Sequence, residues 1–306
     1  MAYTEFYDIA INKARTLSKR AALGWSIIDQ ESELATAAAS MLGLDCGHLE
    51  QSIAQYAHQA TELFLCFEPP ESATNAITQA IEQSEIQRIT LGKALNDNPA
   101  WTQWLQQWPG SQEVLPYNPV VDKLSYGYHS IRQQQRPWVT SITAASLSGF
   151  SQPLANLAPE FDFVNYIANL SQQSRAVIYT LDQQPLLDLL PDENYAGEPL
   201  ELFEVGRVDA LKGIYRHCAQ EMRCSVLLVC NMPMLHQVLE TFQVDEVVHH
   251  LVKNDVRPLK AEVDAHPSLD MENWTLTSSA VVGQCSRVVY ARQADRVAAL
   301  LGSRLN

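Results

Sequence analysis

The chain has 306 residues, 46% hydrophobic and 18% charged, with a formal net charge of −14. That length accommodates two domains with ordinary cores, and the composition is that of a globular protein. The negative balance, with no basic cluster to offset it, excludes nonspecific nucleic-acid binding, and no stretch approaches the ~20 apolar residues that span a bilayer.

The stretch from Met1 to Arg20 is polar and mixed in charge, without the apolar core of a signal peptide, so a cytoplasmic protein is expected. The spacing of Phe6, Ile9, Ala10 and Ala14 predicts a helix over Tyr3–Arg20. A strand follows at Ala22–Asp29, a helix at Leu49–Gln59, and a strand at Glu62–Phe67 that stops at Pro69-Pro70, which cannot continue a ladder. Helix Ala73–Gln83, strand Ile86–Leu91 and helix Ala100–Trp108 complete an α/β alternation. A break runs from Pro109-Gly110 to Pro119, followed by one helix over Val121–Gln134, and the domain boundary falls between about 115 and 136.

The second half repeats the alternation. Strand Trp138–Ala145, helix Phe161–Gln172 and strand Arg175–Tyr179 precede an acidic, proline-containing stretch, Leu181–Phe203, that has no clear periodicity. Helix Val208–Gln220, strand Ser225–Val229, helix Pro233–Phe242 and strand Val244–Leu251 follow. Trp274–Thr277 and Arg287–Ala291 form a closing strand pair.

Six cysteines, at 46, 66, 218, 224, 230 and 285, show no C-x-x-C spacing and several sit in apolar runs, so reduced, buried thiols are expected. His48-Leu49-Glu50 has the spacing of zinc-dependent nucleotide deaminases, in which the His is a ligand and the Glu moves protons. Those enzymes take two thiolates from a Pro-Cys-x-x-Cys turn, and here the corresponding dipeptide is Pro69-Pro70. His249-His250 is placed at a strand end with one ring on each face, a geometry that cannot chelate. Gly149-Phe150-Ser151 and Ser278-Ser279 lack a hydrolase context. Trp101, Trp104 and Trp108 share a helix face that is either core or a docking stripe.

The order of these signals resembles the bifunctional riboflavin-biosynthesis deaminase/reductase (RibD) family. In the first half the resemblance is carried by Leu23-Gly24-Trp25-Ser26-Ile27-Ile28, Cys46-Gly47-His48-Leu49-Glu50, Leu65-Cys66-Phe67-Glu68-Pro69 and Asn96-Asp97-Asn98-Pro99. In the second half it is carried by Arg136-Pro137-Trp138-Val139-Thr140, Ser146-Leu147-Ser148-Gly149, Gly206-Arg207-Val208-Asp209 and Ser225–Val229 followed by Val244-Asp245-Glu246. The resemblance implies an α/β fold: a cytidine-deaminase-like α/β/α domain over 1–118, a linker helix over 119–136, and a dihydrofolate-reductase-like domain of the RibD C-terminal type over 137–306. It also implies a homodimer formed through the C-terminal domain.

Departures from the family pattern bear on function. Neither thiolate position holds Cys, since Pro70 stands at the first and Glu71 to Ala76 contain none. His48 alone cannot hold zinc, so His48 and Glu50 are read as remnants at a helix start, with no zinc and no deamination. The family's Val-Glu-Gly-Gly turn is replaced by Val229-Cys230-Asn231-Met232, whose Met cannot cheaply adopt the backbone angles a glycine allows. Ser146-Leu147-Ser148-Gly149 lacks the family's carboxylate, and Arg175–Asp182 contains no glycine. If NADPH binding survives, Thr143, Ser146, Ser148, Val229, Cys230, Asn231 and Met232 are the expected contacts. The expectation is a RibD-like protein without deaminase activity and with impaired or lost NADPH-dependent 5-amino-6-(5-phosphoribosylamino)uracil reductase activity. It would act by binding a nucleotide-like small molecule or by regulation; the alternative is an active or repurposed NADPH-dependent pyrimidine reductase.

Overall fold

The computed structural model describes residues 4–42, 46–146, 151–152, 154–157, 161–241, 243–252, 273–282 and 285–292. The chain divides into two compact units: Met1–Pro137 with Tyr195–Glu198 and Arg216–Cys224, and Trp138–Asn194 with Pro199–Tyr215 and Ser225–Asn306.

In the first unit the order is α1 (Thr4–Leu17), β1 (Ala22–Asp29), β2 (Leu34–Met41), α2 (Gly47–Gln55), β3 (Ala60–Leu65), α3 (Thr74–Glu82), β4 (Arg88–Leu91), α4 (Pro99–Gln107), β5 (Ser111–Val114), α5 (Pro119–Leu124) and α6 (Tyr126–Gln134). The sheet runs β2-β1-β3-β4-β5, with β1 antiparallel to both neighbours and β3, β4 and β5 parallel. β1 is apolar along nearly its whole length because helices cover the sheet, and Trp25 and Ile27 are fully buried. α1 crosses β1 so closely that a Cβ on Gly24 would collide with the Ala10 carbonyl, which explains a glycine inside a strand.

The second unit contains β6 (Trp138–Ser146), β7 (Ser151–Gln152), α7 (Phe161–Gln172), β8 (Ala176–Tyr179), α8 (Gln184–Leu187), β9 (Glu201–Glu204), α9 (Val208–Gln220, whose residues from Arg216 on are counted in the first unit), β10 (Ser225–Val229), α10 (Met232–Glu240), β11 (Glu246–Val252), β12 (Trp274–Val282) and β13 (Cys285–Arg292). Its sheet runs β12-β13-β11-β6-β10-β8-β9, with β7 paired to β6. The central strands β6, β10, β8 and β11 are parallel, and β6 and β10 are buried at every position. Accordingly Val226–Val229 of β10 reads as an apolar run, while β6 carries Thr140, Ser141, Thr143 and Ser146 among its apolar residues.

Four strands lie outside the sequence expectation: β2, β5, β7 and β9. β2 is Ala-rich, while β5 is exposed at all four positions. The single helix expected over Val121–Gln134 is two, joined at Ser125, where the Gly127 N–H turns to the Arg20 carbonyl at 2.7 Å. All six cysteines are buried, and none of them forms a disulfide among the described residues. Among the described residues no helix is long and apolar enough to cross a membrane.

Candidate functional site

At the end of β3 the chain passes through Cys66, Phe67, Glu68, Pro69 and Pro70, all buried, and then enters a short 3-10 turn, Glu71–Ala73, that leads into α3. One side chain closes this turn. Asn98, fully buried, donates from Nδ2 to the Pro69 carbonyl at 2.8 Å and to Thr74 Oγ1 at 2.7 Å. Its Oδ1 accepts the Trp101 N–H at 3.0 Å and so caps α4, whose first residue is Pro99. Thr74 Oγ1 donates in turn to the Pro70 carbonyl at 3.1 Å.

The neighbouring loop is tied down in the same way. Glu68 Oε1 accepts the Asn96 N–H at 3.1 Å, while buried Oε2 has no hydrogen-bond partner among the described residues. Burial pushes the Glu68 carboxyl up, and the backbone N–H groups of Asn96, Leu95 and Asp97 pull it part of the way back. Asn96 takes a positive φ of 58°, which Asn tolerates better than most residues. From α6, Arg132 donates to Glu71 Oε2 at 2.8 Å and to the Asp97 carbonyl at 3.0 Å, and His129 faces Asp97 at 2.7 Å. Burial pushes His129 down in spite of that carboxylate.

His48 and Glu50 lie in the first turn of α2, both exposed, on either side of the buried Leu49. The buried Cys46 holds the N-cap position without a side-chain cap. Zinc requires three protein ligands and an open position. Pro70 offers no donor atom, and burial pushes the Cys66 thiol up to about 12, away from the thiolate a metal needs. Among the described residues no group of three or more His, Cys, Asp or Glu side chains is placed to hold a metal. The residues present do not fit zinc.

In the second unit, β10 runs through Cys230 and Asn231 into α10. The backbone at Asn231 is extended, with φ −78° and ψ 167°, and no residue from 230 to 232 takes a positive φ. The glycine-like angles considered for Met232 are therefore not used; instead Asn231 caps the helix, its Oδ1 accepting the Met234 N–H at 3.0 Å. Its Nδ2 also reaches Asp182 Oδ1 at 3.3 Å. Pro233, in the first turn, has no N–H. Of the first three helical amides, Met232 alone remains for an anion, and its side chain is buried. This turn does not fit a dinucleotide phosphate in the manner of a paired-glycine turn.

The other expected contacts sit in the core. Val229 and Ser146 are fully buried at strand ends. The Cys230 thiol, pushed up to about 12 by burial, lies 3.5 Å from Ser141 Oγ. Thr143 Oγ1 meets His249 Nδ1 at 3.0 Å. Ser148 lies outside the described residues, as do Gly149 and Phe150. His249 and His250 occupy the middle of β11 and not its end, and both are buried. His250 packs edge-on between Phe163 and Tyr166, with ring centroids at 5.1 and 5.9 Å. Sequence reasoning missed Asn98, Thr74 and Arg132; the Asn-Pro pair at 98–99 was the one visible sign, as a helix-start signature.

No family model matches the chain, and no curated protein matches it. Solved structures do. The architecture is that of a deaminase-like domain followed by a dihydrofolate-reductase-like domain. Its full length superposes on RibD of Acinetobacter baumannii with a TM-score of 0.67 at 15% identity, covering 94% of this chain and 98% of that one. It also superposes on the diaminohydroxyphosphoribosylaminopyrimidine deaminase/5-amino-6-(5-phosphoribosylamino)uracil reductase of Thermotoga maritima, with a TM-score of 0.64 at 11% identity, covering 95% and 99%. The fold is the RibD fold, in a divergent sequence.

Proposed function

We propose that this chain is a cytoplasmic RibD-like protein related to riboflavin biosynthesis that lacks deaminase activity. Its NADPH-dependent reductase activity is impaired or lost, and it acts by binding a nucleotide-like small molecule or by regulation. The observation that carries this reading is the turn at Pro69-Pro70, where Asn98 and Thr74 bond the carbonyls at 2.8 and 3.1 Å and no thiolate is present. What the family resemblance assigns to a metal is here a hydrogen-bonded, proline-shaped turn. His48 and Glu50, both exposed, have no metal-bound water on which to act.

The state of the second unit supports the same reading. Pro233 and the Asn231 cap leave Met232 as the donor for a phosphate, where two glycines would open several. A second reading, a surviving or repurposed NADPH-dependent pyrimidine reductase, is favoured by the full-length retention of the fold and by that one amide. We further propose a homodimer through the C-terminal unit. Among the described residues β12 is a nine-residue edge strand without charge or proline, and Leu276 and Val281 are 49% and 70% exposed on it. Bare edges of this kind are normally guarded or paired.

Metal analysis and NADPH titration of the purified chain test the reading. Zinc far below one per chain and no saturable NADPH binding are expected. Stoichiometric zinc, or micromolar NADPH affinity, contradicts it.

A further inference from the structure

A second polar site lies at the opposite ends of β3, β4 and β5 from the Pro69-Pro70 turn, and it takes no part in the reading above. A cleft of about 610 Å³ opens there, lined among others by Thr61, Glu62, Gln87, Arg88, Trp108 and Ser111. Every one of these residues precedes or begins a parallel strand, whereas the 66–70 and 92–98 turns follow the strand ends.

Glu62 is only 5% exposed and its two oxygens differ. Oε1 accepts from the Tyr7 hydroxyl and, at 2.9 Å, from Thr90 Oγ1. Oε2 accepts no hydrogen bond among the described residues; its nearest cation is Arg88 Nη1 at 3.8 Å, beyond hydrogen-bond range. Arg88 Nη2 is tied to Glu113. A strong acceptor and a strong donor thus stand side by side at the cleft as a long ion pair, with no hydrogen bond between them. Trp108 adds an aromatic wall that is already organised: it stacks on Trp104 at 5.8 Å, and Trp104 Nε1 is pinned to Glu82 at 2.7 Å.

We propose that this cleft binds a neutral, planar heterocycle through a lactam edge, its ring N–H donating to Glu62 Oε2 and its adjacent carbonyl accepting from Arg88 Nη1, with the ring against Trp108. The edge of a nucleobase or nucleoside has this donor–acceptor pair, and base–aromatic contact is indifferent to ring identity. Two carboxylates face one guanidinium here, so a phosphate ester is disfavoured relative to the uncharged base. The cleft volume lies within the range of small-molecule sites.

Uracil is the probe, followed by calorimetry and by the backbone amide resonances of residues 86–88. Saturable binding is expected. 1,3-Dimethyluracil, which keeps the ring and carbonyls but lacks the N–H, should bind about tenfold or more weakly, the size of one charge-assisted hydrogen bond. Arg88→Met should lose about tenfold as well, and being partly exposed it should fold. Glu62→Gln keeps an acceptor for Tyr7 and Thr90 and should weaken uracil similarly. Absence of saturable uracil binding, equal affinity for 1,3-dimethyluracil, or indifference to Arg88→Met overturns the proposal. None of these outcomes depends on zinc or NADPH.

Discussion

The Asn231 side chain accepts the Met234 N–H at 3.0 Å and so closes the first turn of α10 from within the chain. Asn98 does the same for the Pro69-Pro70 turn of the first unit. In both turns an asparagine side chain caps the helix that follows.

Removing the Asn231 cap should weaken folding and leave cofactor binding unchanged. Asn231→Ala is expected to cost about 1 kcal/mol in urea unfolding, with no saturable NADPH binding before or after. A gain of NADPH affinity in this variant would show that the cap alone had masked a working site.

Asn98 is expected to matter more. It makes three hydrogen bonds and is fully buried, so Asn98→Ala strands two acceptors and one donor. The loss should be about 2–4 kcal/mol in equilibrium unfolding. A loss below about 1 kcal/mol would mean that Thr74 and Pro70 hold the turn without it.

One thiolate should not rebuild the metal site. Pro70→Cys restores the first family position, but His48 is exposed and no second thiolate follows. The variant is expected to lose zinc on dialysis, read by elemental analysis. Stoichiometric retained zinc would contradict the geometry described for the turn.

Acid should destabilise the second unit through His250. Burial first, then Arg287 and His249, push its imidazole down to about 3, against ~6.5 in the unfolded chain. The folded state keeps the ring neutral while the unfolded state takes up a proton, so this contribution is complete above pH ~6.5 and is lost as pH falls toward 3. Between pH 6.5 and 5 the loss is about 2 kcal/mol. His129, lowered by burial, acts in the same direction, and Glu68, raised by burial, acts in the opposite one. The comparison is therefore with His250→Gln, whose unfolding free energy should fall less steeply over that interval. Parallel pH profiles would refute the assignment.

Much of the fold was legible because buried parallel strands leave apolar runs and helices leave a face. β1, α7, α9 and β10 fall on the residues that periodicity gives. β2 was not legible, since Ala37, Ala38 and Ala39 carry no strand preference and pair only because β1 lies beside them. The break at Ser125 depends on a hydrogen bond from Gly127 to Arg20, more than a hundred residues away in sequence, which no local pattern records. Pro70 and the missing thiolates were visible at once. Asn98 and Asn231 as the groups that close the two turns were not, because capping depends on where the side chain lands. The Glu62–Arg88 cleft was invisible for the same reason: its members are dispersed among Tyr7, Thr61, Gln87 and Trp108.

The most direct measurement is complementation of two riboflavin auxotrophs, one lacking the deaminase step and one lacking the reductase step, with expression of the chain verified in each. The account predicts no growth of the deaminase-deficient strain without riboflavin, and poor or no growth of the reductase-deficient strain. Full growth of the deaminase-deficient strain would contradict it outright.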